Sequence, residues 1–322
     1  MLTKIKNNNP LNRLRIEYML GNFCNYRCNY CFPGSNDGTV PWPNIELVKE
    51  NLSHLIEKYQ KINKDEIQIY LIGGEPTVWK DLPEFCNFFK TKYSTIINIS
   101  TNGSRSTKWW KENAKCFDQV EVSVHHEYAK IDHLIKISDI IYESDVFVNC
   151  NVLFDYGHFD KCKKNVNDLF KSRYEWPIIA KTVNIDGQTF YNEEESKYLE
   201  TNLKRIPNMD WYRNVSKTER STIELFFEDG TKKEIYGDNW IFLNNLNRFF
   251  GWECNIGVDY IKIFQDGKIT SNCKQVLYNL DYEFNLYDKD FKKIFNPLIK
   301  STICQQHICS CSSESTINKQ RW

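Results

Sequence analysis

The chain has 322 residues, and its 42 Lys and Arg balance its 42 Asp and Glu, so the formal net charge is zero. This length can bury an enzyme-sized core, whereas zero net charge excludes a chain-wide basic field for nucleic acid or an anionic membrane. The 12 cysteines are too few in so long a chain for a small disulfide-rich scaffold.

The N-terminal segment has no apolar stretch ahead of a small-residue cleavage site, and no run of about 18 apolar residues follows anywhere. We therefore expect a cytoplasmic protein without a membrane span. In a reducing compartment, clustered thiols bind metals or act in catalysis more often than they form disulfides.

Short β-rich runs alternate with amphipathic stretches between residues 15 and 185. Strands are predicted near 15–21, 67–72, 95–100, 119–125, 146–153 and 177–183. Helices are predicted between them, near 44–60, 82–92, 105–115, 129–141 and 159–171. Six successive units with short connections predict an α/β fold, a partial (β/α)6 TIM-like barrel whose active site lies at the carboxyl ends of the strands.

Two of these strands carry polar side chains on one face. Glu121, Ser123 and His125 alternate with valines on the fourth strand, and Asn149 and Asn151 share a face of the fifth. Because side chains alternate across a strand, the apolar set packs under the helices and the polar set lines the lumen. Glu121 and His125 are therefore candidates to face substrate, although a structural, hydrogen-bonded role for His125 stays open.

The pattern changes near residue 190. The turns Glu228–Thr231 and Gln265–Lys268 each contain Asp-Gly between strand-like flanks, which predicts two β-hairpins. We expect an N-terminal extension over 1–14, the barrel over 15–190 and a C-terminal extension over 191–322. Because only about 14 residues precede the first strand, no fused leader-peptide recognition domain is expected there.

Three cysteines, Cys24, Cys28 and Cys31, follow the first predicted strand on one loop with the spacing C-x-x-x-C-x-x-C. A closed structural zinc site needs four protein ligands. Three cysteines on one loop suit a 4Fe-4S cluster with one iron left open to a substrate or cofactor. A zinc site completed by a distant fourth ligand is the alternative.

This spacing, with the aromatic Tyr30 before the last cysteine, resembles the signature of radical S-adenosylmethionine (SAM) enzymes. The resemblance covers roughly residues 15–185. It implies that the open iron chelates the amino and carboxylate groups of SAM. It also implies reductive cleavage of SAM to methionine and a 5′-deoxyadenosyl radical, which abstracts hydrogen from substrate; the protein positions this cofactor chemistry.

Further motifs follow successive strands in the order that similar enzymes show. A GGEP motif ends the second strand, and the resemblance implies that it holds the amino group of SAM. Polar residues end the third strand around SAM, a serine on the fourth contacts the ribose, and asparagines on the fifth contact ribose or substrate. The implied SAM contacts are Tyr30, Gly73, Gly74, Glu75, Pro76, Thr101, Asn102, Ser123, Asn149 and Asn151.

Five cysteines occur after residue 250, and the first two of them flank the second hairpin; the five are Cys254, Cys273, Cys304, Cys309 and Cys311. The stretch over about 250–322 resembles the twitch or SPASM extension, which carries auxiliary 4Fe-4S clusters in part of the family. SPASM domains usually bring more cysteines for two clusters, so five favour one cluster. His307 is a candidate substitute ligand, and a four-thiolate zinc site is the alternative.

We expect a radical SAM enzyme that acts on a small molecule derived from a sugar or nucleotide, with the auxiliary cluster assisting oxidation or rearrangement. A peptide- or protein-modifying maturase, an RNA-modifying enzyme and a non-catalytic metal- or SAM-binding sensor are the alternatives. The family also implies an electron donor such as flavodoxin or ferredoxin. Zero net charge gives no support to a nucleic-acid partner.

Overall fold

The computed structural model describes residues 1–215, 222–269, 284–297, 299–310 and 312–321. Its strands are β1 Leu2–Asn7, β2 Arg13–Met19, β3 Glu66–Ile72, β4 Ile96–Thr101, β5 Gln119–Val124, β6 Phe147–Phe154, β7 Ile178–Thr182, β8 Leu203–Arg205, β9 Ile223–Phe227, β10 Lys232–Ile235, β11 Glu253–Cys254, β12 Tyr260–Ile263, β13 Lys268–Ile269, β14 Phe284–Asn285, β15 Thr302–Ile303 and β16 Lys319–Gln320.

The helices alternate with the strands in the first part of the chain. They are α1 Ile45–Gln60, α2 Leu82–Tyr93, α3 Thr107–Asn113, α4 Ile131–Glu143, α5 Phe159–Leu169, α6 Glu193–Glu200, α7 Met209–Val215, α8 Asn239–Leu243, α9 Phe291–Ile294 and α10 Ser312–Ser315, with 3₁₀ turns at Pro76–Val78 and Ala114–Cys116. None of the helices in the described part of the chain is both long and apolar enough to cross a membrane.

Strands β2 to β7 lie side by side in chain order and pair in parallel. Each lies within two residues of the bounds predicted from the sequence, and so do the helices α1 to α5. The apolar residues of each strand are buried against the helices, while the alternate positions face the lumen. The partial TIM-like barrel is therefore confirmed, as a sheet that does not close.

The barrel sheet continues past β2 into strands from the C-terminal part of the chain. Strand β12 pairs in parallel with β2, placing Lys262 opposite Glu17, and the two side chains form a buried ion pair at 3.1 Å. Strand β13 follows β12 through the turn at Gly267 and pairs antiparallel with it, and β14 pairs antiparallel with β13. Both predicted hairpins are present, since β9 and β10 also pair antiparallel.

A second sheet has the order β10-β9-β1-β16-β11-β15. The first strand of the chain, which the sequence analysis assigned to an N-terminal extension, lies between β9 and β16. Its pairing involves residues far away in sequence, so local alternation gave little sign of it. A separate hydrophobic cluster underlies this sheet and includes Leu225, Ile241 and Phe249. The division of the chain at residue 190 stays a prediction.

Candidate active site

The cysteine trio lies on the loop between β2 and α1. Cys24 and Cys28 are buried and Cys31 is half-buried. Asn22 holds this loop together, because its side-chain amide donates to Asp37 Oδ1 at 2.6 Å and to the Gly34 carbonyl at 3.0 Å. Its Oδ1 accepts the Val40 N–H at 2.9 Å. The sequence analysis missed Asn22, whose partners become apparent only when the loop closes.

The GGEP motif packs directly against the cysteine loop. The Gly74 N–H donates to the Gly21 carbonyl at 2.9 Å, and the Glu75 N–H donates to the Phe23 carbonyl at 2.8 Å. A Cβ atom on Gly74 would lie 2.1 Å from that Phe23 oxygen, so any larger residue would separate the two backbones. Glycine is therefore required here for the approach of the β3 end to the cysteine loop.

The Glu75 carboxylate is fully buried. Its Oε1 accepts the Thr77 hydroxyl at 2.5 Å and the Thr101 hydroxyl at 2.7 Å, and its Oε2 accepts the Asn102 N–H at 2.6 Å. Burial raises the pKa of Glu75, although these hydrogen bonds lower it in part. The structure thus gives Glu75 a positioning role between the ends of β3 and β4, and its direct contact with SAM stays a prediction.

Burial raises the pKa of each thiol of the trio, that of Cys28 to about 12. A thiol must lose its proton to bind a metal, so a positively charged metal centre is needed to ionise these groups. Three cysteines on one loop suit a 4Fe-4S cluster with one open iron. A zinc ion completed by a distant fourth ligand stays the alternative.

Tyr30 connects the cysteine loop to the end of β5. Its hydroxyl lies 2.9 Å from His125 Nδ1, and its ring lies 5.9 Å from those of both His125 and His126. Burial, together with His126, lowers the pKa of His125 to about 4. His125 therefore has a hydrogen-bonded position beside Tyr30, and contact of either residue with substrate or SAM stays a prediction.

The predicted polar face of β5 and β6 forms a continuous hydrogen-bond chain. Glu121 Oε2 accepts the Tyr70 hydroxyl at 3.0 Å and the Asn151 amide at 2.8 Å. Asn149 donates to Asn151 at 2.9 Å and accepts from Gln119 at 3.1 Å. Asn149, in the middle of these hydrogen bonds, is fully buried. The structure brings these predicted site residues together, and the hydrogen bonds hold their side chains in one arrangement.

Ser123 lies one step further along β5. Its hydroxyl is 3.2 Å from that of Ser100 on β4. This pair occupies the lumen side of both strands, nearer to the end that carries the cysteine loop. The predicted ribose contact of Ser123 is compatible with this position and stays a prediction.

A polar cavity of about 200 Å³ lies at the amino ends of the strands, and its lining includes Arg13, Arg15, Gln68, Asn98, Glu121 and Lys181. Arg13 pairs with Glu66, and Lys181 pairs with Asp238 at 2.6 Å. Half-buried Arg15 has no carboxylate within ion-pair distance in the described part of the chain. The sequence analysis missed all three cations, although the alternation of Arg13 and Arg15 with apolar residues on β2 was a usable signal.

Three of the C-terminal cysteines, Cys254, Cys304 and Cys309, are buried in the second hydrophobic cluster. Burial raises the pKa of Cys254 and brings that of Cys309 to about 12. The Cys304 thiol lies close enough to add to both shifts, and Cys254 adds to that of Cys309. The Lys319 ammonium lowers the pKa of both Cys254 and Cys309. His307 is exposed, with its ring stacked on Phe250 at 4.7 Å.

The remaining two predicted ligands, Cys273 and Cys311, lie outside the described residues. Backbone hydrogen bonds hold two of the other cysteines in place, because the Cys304 N–H donates to the Trp252 carbonyl at 2.7 Å and the Cys309 N–H donates to the Asn247 carbonyl at 2.8 Å. Soft thiolate ligands in a buried pocket suit iron-sulfur or zinc chemistry equally.

Similarity to known proteins agrees with this geometry. Residues 18–166 match the family model of the radical SAM superfamily. The chain is 26% identical over 314 residues to a GTP 3′,8-cyclase of Psychromonas ingrahamii, covering 93% of this chain and 78% of that protein. It is 30% identical over 156 residues to a GTP 3′,8-cyclase of Haemophilus influenzae, covering 45% of this chain and 44% of that one.

A solved structure of polyhistidine-tagged anSMEcpe with bound AdoMet superposes on the chain with a TM-score of 0.52 at 13% identity, covering 88% of this chain and 78% of that one. At this level of identity the likeness concerns the fold alone. It agrees with the partial barrel described above.

Proposed function

Since residues 18–166 are a radical SAM domain and the protein is an enzyme of that superfamily, we propose that it reductively cleaves SAM and abstracts a hydrogen atom from a small polar molecule held in the barrel lumen. Cys24, Cys28 and Cys31 hold the 4Fe-4S cluster in this proposal. When bound, that cluster supplies the electron and the open iron for SAM. A flavodoxin or ferredoxin supplies the electron to the cluster.

The chain's own residues position the reactants. Gly74 lets the end of β3 meet the cysteine loop, and Glu75 fixes the end of β4 beside it. The hydrogen-bond chain through Glu121, Asn149 and Asn151 presents a fixed polar wall. A preorganised wall lowers the entropic cost of holding substrate close to the site of SAM cleavage.

The observation that carries the substrate class is Arg15 at the polar cavity. In this proposal the anionic group of the substrate binds Arg15 at the amino ends of the strands. The rest of the molecule extends along the lumen, past Glu121 and Asn151, toward the cysteine loop at the carboxyl ends. A half-buried guanidinium without a carboxylate partner in the described residues favours an anionic group, and guanidinium binds phosphate in a bidentate manner. The neighbouring amides suit hydroxyl groups. We therefore propose a phosphorylated sugar or nucleotide as substrate, and GTP is the first candidate because the matched relatives are GTP 3′,8-cyclases.

We further propose that the C-terminal cysteines hold one auxiliary 4Fe-4S cluster in a twitch-like module. The supporting observation is that Cys254, Cys304 and Cys309 belong to one buried hydrophobic cluster, with the Lys319 ammonium close to Cys254 and Cys309. A nearby cation stabilises thiolates. Cys273 or Cys311 would supply the fourth ligand.

Anaerobically reconstituted protein, incubated with SAM and dithionite, tests the central proposal. We expect 5′-deoxyadenosine, measured by mass spectrometry, and its loss when Cys24, Cys28 and Cys31 are all replaced by alanine. The variant Cys116→Ala, which alters a half-buried cysteine outside the loop, is the matched control and should retain cleavage. Undiminished cleavage by the triple variant would refute the assignment.

Iron and acid-labile sulfide analysis tests the auxiliary cluster. We expect about eight irons per chain in the wild type, and about four when Cys254, Cys304 and Cys309 are replaced by alanine, because each 4Fe-4S cluster contributes four. A wild type with about four irons and one zinc ion per chain would contradict the auxiliary cluster and indicate a structural zinc site in its place.

Incubation with GTP, with guanosine and with sugar phosphates tests the substrate class. We expect a new product and a higher yield of 5′-deoxyadenosine with a phosphorylated compound but not with guanosine. If guanosine were converted and the phosphorylated compounds were not, the proposed role of Arg15 would be contradicted.

A further inference from the structure

Two histidines and an aspartate converge beside the cysteine loop. His126 follows β5, Asp155 follows β6, and His158 is the N-cap residue of α5. Because β5 and β6 are neighbouring parallel strands, their carboxyl ends bring these segments together. None of the three is needed for the proposed binding of SAM or substrate.

Their ligand atoms already have the separation of a metal site. His126 Nε2 and His158 Nδ1 each lie 3.0 Å from Asp155 Oδ2, and all three ligand atoms lie within 4.8 Å of one another. For an ion about 2.1 Å from each of two donor atoms that are 3.0 Å apart, the donor–ion–donor angle is roughly 90°. This is the angle between adjacent ligands in octahedral coordination.

The histidine tautomers also allow a metal ion. Without an ion, both imidazoles donate to the same carboxylate oxygen. Metal binding requires the proton of His126 to lie on Nδ1, which has neither a donor nor an acceptor beside it within the described part of the chain. Nε2 then presents its lone pair to the ion, and the ion must offset the cost of one buried N–H without a protein acceptor.

Exposure decides how an ion would enter. The side chain of His126 is 2% exposed and that of Asp155 14% exposed, whereas that of His158 is 50% exposed. The site is thus anchored on the protein side and open on the solvent side. The open side leaves coordination positions for water, as expected for a two-histidine, one-carboxylate set.

We propose that His126, Asp155 and His158 bind one divalent first-row transition-metal ion. The ion joins the segments that follow β5 and β6 and fixes the His126 ring, which stacks on Tyr30 of the cysteine loop at 5.9 Å. Its role is to position that loop. The site does not depend on the proposed substrate.

Equilibrium dialysis of cluster-loaded protein against Zn²⁺, followed by metal analysis, tests the site. We expect the wild type to bind one more zinc ion per chain than His158→Ala or Asp155→Asn, or to bind it at least roughly tenfold more tightly. Exposed His158 can be replaced with little risk to folding, and circular dichroism verifies that. Cysteine thiols can also bind zinc, but the wild type and the variants contain the same cysteines. A difference in zinc content between them therefore reports on this site alone.

The matched control is His54→Ala, which removes an α1 imidazole packed against Phe291 and should bind zinc as the wild type does. Zn²⁺ should also raise the melting temperature of the wild type and of this control more than that of Asp155→Asn. Equal zinc content and equal affinity in the wild type, His158→Ala and Asp155→Asn would overturn the proposal. Because the readout is metal content, this result is independent of SAM cleavage.

Discussion

The Glu75 carboxylate accepts the Thr101 hydroxyl at 2.7 Å, in the fully buried space between the ends of β3 and β4. The same carboxylate accepts the Asn102 N–H at 2.6 Å. Two neighbouring strand ends are thus fixed by one acidic group. This arrangement holds the GGEP motif and the polar end of β4 at one level beside the cysteine loop.

Replacing Glu75 by glutamine should destabilise the fold and weaken SAM binding. The amide NH2 would face either the Thr77 N–H or the Asn102 N–H, which now donate to Oε1 and Oε2. One buried backbone donor therefore loses its acceptor, at a cost of about 1–3 kcal/mol. Urea unfolding and SAM affinity by calorimetry measure the two effects. Exposed Glu84→Gln is the control and should change stability by less than about 0.5 kcal/mol. Equal stability of both variants would contradict the positioning role.

Replacing Gly74 by alanine should reduce cluster occupancy. The new Cβ would lie 2.1 Å from the Phe23 carbonyl oxygen, so the cysteine loop must move away from β3. Iron content and the visible absorption of reconstituted protein measure the loss. Gly34→Ala is the control in the same loop, where a Cβ meets no atom within 4 Å and only the positive φ of 75° is strained. Full iron content in Gly74→Ala would contradict the close approach.

The buried pair of Glu17 and Lys262 should make stability depend on acid pH. Burial raises the pKa of Glu17, but the Lys262 ammonium and hydrogen bonds from Ser313 and Tyr260 outweigh burial, so its pKa lies below the ordinary value. A lowered folded-state pKa contributes stability above the unfolded pKa of about 4.3, and the contribution is lost as pH falls through the folded value.

Glu17→Gln should therefore be about 3–5 kcal/mol less stable than the wild type near neutral pH, because Lys262 stays buried without its partner charge. The difference should narrow as the pH falls below the unfolded pKa of glutamate. Unfolding free energies measured by urea titration across the acid range test this expectation. Glu50→Gln, which alters an exposed partner of Lys292, should show no such narrowing.

Replacing Arg15 by glutamine should raise the KM for a phosphorylated substrate. A hydrogen bond to a charged group contributes about 1.5–3 kcal/mol, which corresponds to a change of roughly ten- to a hundredfold. Steady-state kinetics separate this effect from kcat. Arg15→Lys should recover part of the affinity, and exposed Lys108→Gln should behave as the wild type. An unchanged KM in Arg15→Gln would exclude Arg15 from substrate binding.

Local pattern accounts for the parts of the fold that the sequence analysis predicted well. Alternation of apolar and polar residues identified β2 to β7, and helical periodicity identified α1 to α5, since both signals lie within one element. The pairing of β1 with β9 and β16 was missed because short strands with distant partners carry a weak local signal.

The candidate site divides in the same way. The spacing of Cys24, Cys28 and Cys31 and the GGEP motif are local, and each could be recognised in the printed sequence. The partners of the Glu75 carboxylate, the lack of a carboxylate beside Arg15 in the described residues, and the meeting of His126 with Asp155 involve separate strands. No spacing along the chain reports such contacts.

Local patterns in the sequence are enough to derive the balanced charge, the 12 cysteines, the C-x-x-x-C-x-x-C loop after the first barrel strand and the order of the strands around the lumen. The hydrogen-bond partners of the polar groups, and the polar groups that face the cavity, become apparent only in the folded molecule. A buried polar group must find a hydrogen-bond partner, and that partner usually lies on another segment of the chain.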